Sequence, residues 1–259
     1  VKALALLLLL AVSPFQIEHD KWRAAREASL RAEKGWLSVA GLFWLKPGAN
    51  DLDLPAPSPR CRVLLQNGKV TITLDGVTRD LRTNSPDVFE SGPLSLTAIQ
   101  RGPRYGVRLR DRNAAARRDF KGLRYFPVSE RYRIVARWVA EPRKLPITNV
   151  LGLTEPMDSP GHAVFRIGGQ ELRLTPVLES PDSRELFFIF RDQTAAHETY
   201  GAGRFLDADL PRNGTVVLDF NRAYNPPCAF TPYATCPLPP KENRLAIRIE
   251  AGELRYGDH

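Results

Sequence analysis

The chain has one methionine, three cysteines and four histidines in 259 residues. His19, His162, His197 and His259 show no ligand spacing, which argues against a histidine-built zinc centre, and no C-x-x-C is present. G-x-S-x-G, H-E-x-x-H and G-x-x-x-x-G-K-[ST] are also missing, so the local signatures of a serine esterase, a zinc protease and a P-loop nucleotide site are absent. Gly201-Ala202-Gly203 begins as a dinucleotide fingerprint does but lacks the third glycine and a following helix, and reads as a turn. Asp51-Leu52-Asp53 and Asp207-Ala208-Asp209 lack the glycine and distal Glu of a calcium loop and read as solvated carboxylates. No metal and no cofactor is expected.

Long apolar runs are scarce too. The run from Ala3 to Val12, followed by Ser13-Pro14, has the length of a leader h-region and falls short of the roughly twenty apolar residues that span a bilayer. Residues 1–15 are therefore expected to be a signal peptide and 16–259 a single β-rich domain. Its location would be extracytoplasmic, periplasmic or secreted, with no stable membrane span once the leader is removed. In an oxidising compartment Cys228 and Cys236, seven residues apart in between, are the natural disulfide pair. Such a closure contributes about 2–3 kcal/mol through chain entropy. Cys61 is then the odd thiol. The net charge of +8 is spread along the chain, with no basic run interleaved with aromatics, so no nucleic-acid partner is expected.

His19–Lys34 is rich in Ala, Arg, Glu and Lys, with Trp22, Ala25 and Leu30 at roughly helical spacing, and predicts a helix capped by Gly35. From Arg62 on, short alternating runs are separated by turn residues. RVLLQ, Asn67-Gly68 and KVTITL predict a hairpin, and further strands are expected at Glu185–Phe190, Thr215–Asp219 and Leu245–Glu250 among others. Long helical patterns do not alternate with these runs, which argues against a parallel sheet, and the reading is mostly β: an antiparallel β-barrel or β-sandwich with an N-terminal helix.

Two segments carry the polar chemistry. Asp219–Arg244 holds Pro-Pro at 226–227 and 239–240, so it cannot be helical, and its aromatic residues require it to be ordered. Phe190–Phe205 places Asp192, Thr194, Glu198, Tyr200 and Arg204 in one short non-helical span, where an Arg can grip a carboxylate or phosphate. With Asn221, Tyr224 and Asn225 these residues are the candidate lining of a pocket for a small polar or anionic ligand. Two alternatives stand beside that reading. One is a hydrolase using Glu198 or Glu253 as general acid or base. The other is a structural envelope protein in which residues 219–244 plug the fold and their polar groups satisfy buried backbone.

The segments GWLSVAGLFWLKPGAN, FKGLRYFPV, FRDQTAAHETYGAGRFL and DFNRAYNPPCAFTPYATCPLPPKENRL closely resemble the bacterial and archaeal family of domain of unknown function 1684, across about residues 20 to 253. The resemblance implies a single exported or envelope-associated domain and carries no mechanism. The chain departs from the family pattern after Asn50, where Asp51-Leu52-Asp53 stands in place of Gly and a small polar residue.

Overall fold

The structure is a computed structural model that describes residues 13–55 and 60–257. Most of the expected leader, residues 1–12, lies outside the described residues. Pro14 and Phe15, which the leader reading sets aside, open helix α1 (Pro14–Arg31). Ser13 caps it by accepting the Gln16 N–H, and Pro14 fills a first-turn position where no N–H is needed, so the helix starts earlier than its Ala-rich stretch suggests. It stops at Arg31. Gly35 passes so close behind the last turn that a Cβ there would sit 2.4 Å from the Ser29 and Leu30 carbonyl oxygens, so its role is close approach and not capping.

After α1 the chain builds eight strands: β1 (Val39–Trp44), β2 (Gly48–Leu52), β3 (Cys61–Gln66), β4 (Lys69–Leu74), β5 (Val77–Leu81), β6 (Phe89–Ser91), β7 (Leu94–Arg101) and β8 (Arg104–Asp111). They form two open antiparallel sheets, ordered β1-β8-β7-β6 and β2-β3-β4-β5. The Asn67-Gly68 turn has the positive φ at both residues that such a hairpin needs, and Gln66 pairs with Lys69 as expected. Val63, Ile72, Leu96 and Leu109, drawn from both sheets, share one buried apolar cluster.

A short helix α2 (Ala115–Arg118) leads to the second set: β9 (Arg133–Thr148), β10 (Thr154–Ile167), β11 (Gln170–Leu174), β12 (Glu185–Phe190), β13 (Arg204–Asp209) and β14 (Thr215–Asp219). Here the sheets are β11-β10-β9-β14 and the two-stranded β12-β13. The fold is mostly β and antiparallel, as expected, but none of the described sheets closes, so the barrel alternative is not formed. Leu245–Glu250 is not a strand. It runs as irregular backbone whose groups are taken up by Arg191, Asp192, Gln193 and Arg204.

The β12-β13 hairpin is buried on two faces. Leu186, Phe188 and Phe190 enter the cluster with β9 and β10, while Phe187, Ile189 and Phe205 pack with Leu145, Val177, Ala234 and Cys236. That is why ELFFIF is a continuous apolar run and not an alternating one. Phe188→Ala is expected to destabilise the fold by about 3–5 kcal/mol, and Val217→Ala on the exposed face of β14 by no more than about 0.5 kcal/mol, measured by urea unfolding.

Candidate functional site

The polar residues singled out from sequence fall into separate clusters. Arg204, at the start of β13, is 1% exposed. It donates to the Ala251 carbonyl, to Ile249 O at 3.1 Å and to Asp192 Oδ1 at 3.4 Å. Asp192 in turn accepts from Thr194 Oγ1 at 2.8 Å and from the Ile249 N–H at 2.6 Å, and Thr194 meets Thr199 Oγ1 at 2.9 Å. Burial pushes the Arg204 guanidinium down from its ordinary range and the Asp192 carboxylate opposes that shift.

Asn221 sits elsewhere. Its amide accepts from the Ser129 N–H and donates to Ser129 O and Asp219 Oδ1, each at 2.9 Å. Asn225 donates its backbone N–H to Glu253 Oε2 and its amide to Leu254 O, each at 2.7 Å. Glu253 is fully buried and takes the Arg26 Nε–H at 2.8 Å; burial raises its carboxyl while Arg26 holds it down. Glu198 is half-buried and pairs with Arg248 at 2.7 Å. Tyr200 packs beside Phe230 and Phe120.

The expected Cys228–Cys236 disulfide is not formed: all three cysteines are free thiols. Cys228 N–H donates to Cys236 Sγ at 3.1 Å and Cys236 N–H to Cys228 Sγ at 3.4 Å, so each sulfur is engaged by the other's backbone instead of by a covalent bond.

Tyr224 alone of the predicted set lines the cleft beside α1. Two adjoining cavities of about 470 and 420 Å³ run along α1 and share Trp22, Asp207 and Tyr224 as walls. Strand register explains the acidic side. Glu185 pairs with Asp209 and Phe187 with Asp207, so the three carboxylates share one face at the open end of the hairpin, beyond the apolar pairs that bury its other end. Among the described residues Glu185, Asp207 and Asp209 have no ion-pair partner, and like charges stand directly opposite across the ladder. Asp207 is accessible from the cleft mouth, yet its surroundings push its carboxyl up to about 6, through desolvation first and then the negative charges of Glu185 and Glu179; the Tyr224 hydroxyl pulls the other way.

Arg26 lies over the Tyr224 ring at 4.7 Å, and Phe205 meets that ring edge-on at 5.8 Å, which fixes the aromatic wall. At the far end Arg133 and Arg222 are engaged by Glu18 and Asp219. His19 ties α1 to the same corner through Asp219 Oδ2 at 2.9 Å. No group of three or more His, Cys, Asp or Glu with metal-holding geometry occurs among the described residues.

In the sequence Trp22 looks like an ordinary apolar helix position, and Asp207-Ala208-Asp209 like solvated carboxylates. The available signal was that carboxylate pair at period-two spacing after an apolar run. What could not be read was Glu185 opposite it.

An antiparallel β protein with a polar, aromatic-walled cleft beside its N-terminal helix is the class these features define. The chain belongs to the family described as protein of unknown function (DUF1684), whose model matches residues 118–254. That range includes the hairpin, Tyr224 and both loop cysteines, whereas Trp22, Arg26 and the first two sheets precede it. The solution NMR structure of an uncharacterized protein from Haloarcula marismortui is 32% identical, with 55% of this chain and 81% of that one covered and a TM-score of 0.46. No curated protein matches the chain.

Asp192→Ala leaves the Arg204 guanidinium buried without its carboxylate and is expected to cost about 3–5 kcal/mol of unfolding free energy. Glu198→Ala, which removes a half-buried surface pair, is expected to cost no more than about 1 kcal/mol in the same denaturation measurement.

Proposed function

We propose that this chain is an extracytoplasmic protein that binds a small polar ligand carrying an amine or several hydroxyls, in the cleft between α1 and the β12-β13 hairpin. The observation that carries this reading is the set of carboxylates Glu185, Asp207 and Asp209, without cationic partners among the described residues, facing the Trp22 and Tyr224 rings. Aromatic faces attract cations and stack on sugar rings, and carboxylates supply the acceptors that orient N–H and O–H donors. An anionic ligand is less well served, because two of the cavity's three guanidiniums, Arg133 and Arg222, are taken up by Glu18 and Asp219, which leaves Arg212 as the one lining cation without an ion pair among the described residues. Export is supported by the apolar run Ala3–Val12. In this reading the chain is one unit: each pair of sheets faces across a shared apolar cluster as a sandwich does, and Arg101 and Thr231 tie the halves together through Thr235 and Val39 O.

A hydrolase would use the same cleft, with Asp207 as its acid or base in place of Glu198 and Glu253, which line neither cavity. In a thermal-shift panel of organic amines, neutral sugars and carboxylates, an amine or a sugar is expected to raise the melting temperature, and Trp22→Ala and Asp207→Asn to abolish the shift. A shift from carboxylates alone, or one that survives both substitutions, refutes the reading.

The pH dependence has a defined sign. Asp207 is ionised above about 6 and neutral below. Affinity for an amine should therefore hold above that pH and weaken as pH falls through it, by roughly tenfold if one charge contact of about 1.4 kcal/mol is lost. Calorimetric titration of Asp207→Asn should show that step removed.

A further inference from the structure

We infer that Cys228 and Cys236, beside the buried Arg108, form a thiol–disulfide exchange site that passes two electrons to a small-molecule or protein disulfide. This inference does not depend on the ligand cleft. The two thiols are brought together by elements of different kinds, each within hydrogen-bond reach of the other's backbone. Cys228 sits half-buried on a 3-10 turn (Pro227–Ala229) launched by Pro226, and Cys236 is strapped to the β9-β10 connection, where the Val150 N–H donates to its carbonyl at 3.0 Å. Each sulfur accepts the other residue's backbone N–H, a bond that favours a thiolate over a thiol.

The second observation is independent of the cysteines. Arg108, in the middle of β8, is 6% exposed and stacks over Trp36 at 5.0 Å, and its Nε and Nη2 have no hydrogen-bond partner among the described residues. Its neighbours Arg101 and Arg110 are cations as well, and no carboxylate pairs with any of the three among the described residues. A buried guanidinium of this kind needs a negative charge nearby. Burial and the Arg110 and Arg101 charges push Arg108 down to about 10, and the neighbouring Cys236 and Cys228 oppose that shift; the hydrogen bond to Cys228 and burial keep Cys236 itself a thiol. Reciprocally, the hydrogen bond from Cys236 first, and the Arg108 charge after it, lower the Cys228 thiol. Cys228 is thus the accessible attacking sulfur and Cys236 the buried resolving one. Cys61 lies in the other apolar cluster with its thiol raised to about 11 by burial, and stands apart.

In the first step the Cys228 thiolate attacks one sulfur of the external disulfide. That S–S bond breaks, a mixed disulfide forms on Cys228, and one external thiolate leaves. Cys236 then loses its proton to solvent and attacks Cys228 Sγ, expelling the second external thiolate. The pair is oxidised to a disulfide, and the external disulfide departs as two thiols after taking up the protons.

The test uses the reduced full chain in buffers of oxidised and reduced glutathione, with acid quenching, alkylation and peptide mass mapping. Cys228 and Cys236 should convert reversibly to a disulfide across the glutathione range while Cys61 stays alkylatable. Cys236→Ser should trap glutathione on Cys228, whereas Cys228→Ser should leave Cys236 unmodified. Arg108→Gln should slow trapping on Cys228 in the Cys236→Ser background by about tenfold, as a less populated thiolate reacts more slowly. The proposal is overturned if both cysteines stay thiols in every buffer, if the disulfide forms but does not reduce, or if trapping falls on Cys236 instead. Should Arg108→Gln not fold, the two cysteine variants still decide the matter.

Discussion

A single buried guanidinium does much to hold the irregular C-terminal chain in place. Residues 245–254 form no strand, so their backbone groups need partners that no sheet supplies. Arg204 reaches from the first position of β13 to the carbonyls of Ile249 and Ala251, and Asp192 takes the Ile249 N–H while balancing the Arg204 charge. Asn243 does the same service between Thr175 and Ile189, and Asn225 with Glu253 closes the segment against α1 through Arg26. A low local dielectric makes each of these bonds strong when complete and costly when broken, so the set is held together as a network.

That network leaves the chemistry to its margins. Arg204, Asn225 and Asn243 are engaged with backbone, though Arg204 Nε and Asn225 Oδ1 keep no partner among the described residues, and further groups with spare capacity stand at the open end of the hairpin and in the first sheet at Arg108. Both faces of β12-β13 are apolar along most of their length, and its acidic residues Glu185, Asp207 and Asp209 lie with Phe187, Phe205 and Ala208 along the cleft beneath α1. On the other side, the loop from Pro226 to Pro239 packs toward β7 and β8, where Arg101 meets Thr235 and Arg108 stacks over Trp36 within electrostatic reach of the two cysteines. Helix α1 joins the two regions: Trp22 and Arg26 wall the cleft, and Leu30 packs in the cluster that also holds Phe230.

The strand ladder was largely legible because period-two alternation and the Asn67-Gly68 turn are local signals, and the proline spacing correctly marked 219–244 as ordered and irregular. The helix was legible in kind but not in extent, since its start depends on the Ser13 cap and not on the Ala-rich stretch. Leu245–Glu250 misled because alternating apolar residues face a core in irregular backbone as readily as in a strand. Among the site residues, Asp192, Thr194 and Arg204 do meet, through hydrogen bonds that centre on the Asp192 carboxylate. Asn221 and Asn225 do not join them, because each pair of elements turns its polar groups toward a different segment of backbone.

Sequence alone determined the β-rich antiparallel class, the N-terminal helix, the family and the ordered proline loop, all of which rest on neighbours within a few residues. Tertiary structure decided which polar groups remain free. Glu185 and Asp209 meet only through strand pairing, Trp22 and Asp207 wall one cleft only because α1 lies across the hairpin, and Arg108 comes within electrostatic reach of Cys228 only because the loop packs toward β8. Whether a charge is spent on a buried backbone or left to act on another molecule is set by residues far away in the chain, and no local pattern encodes that choice.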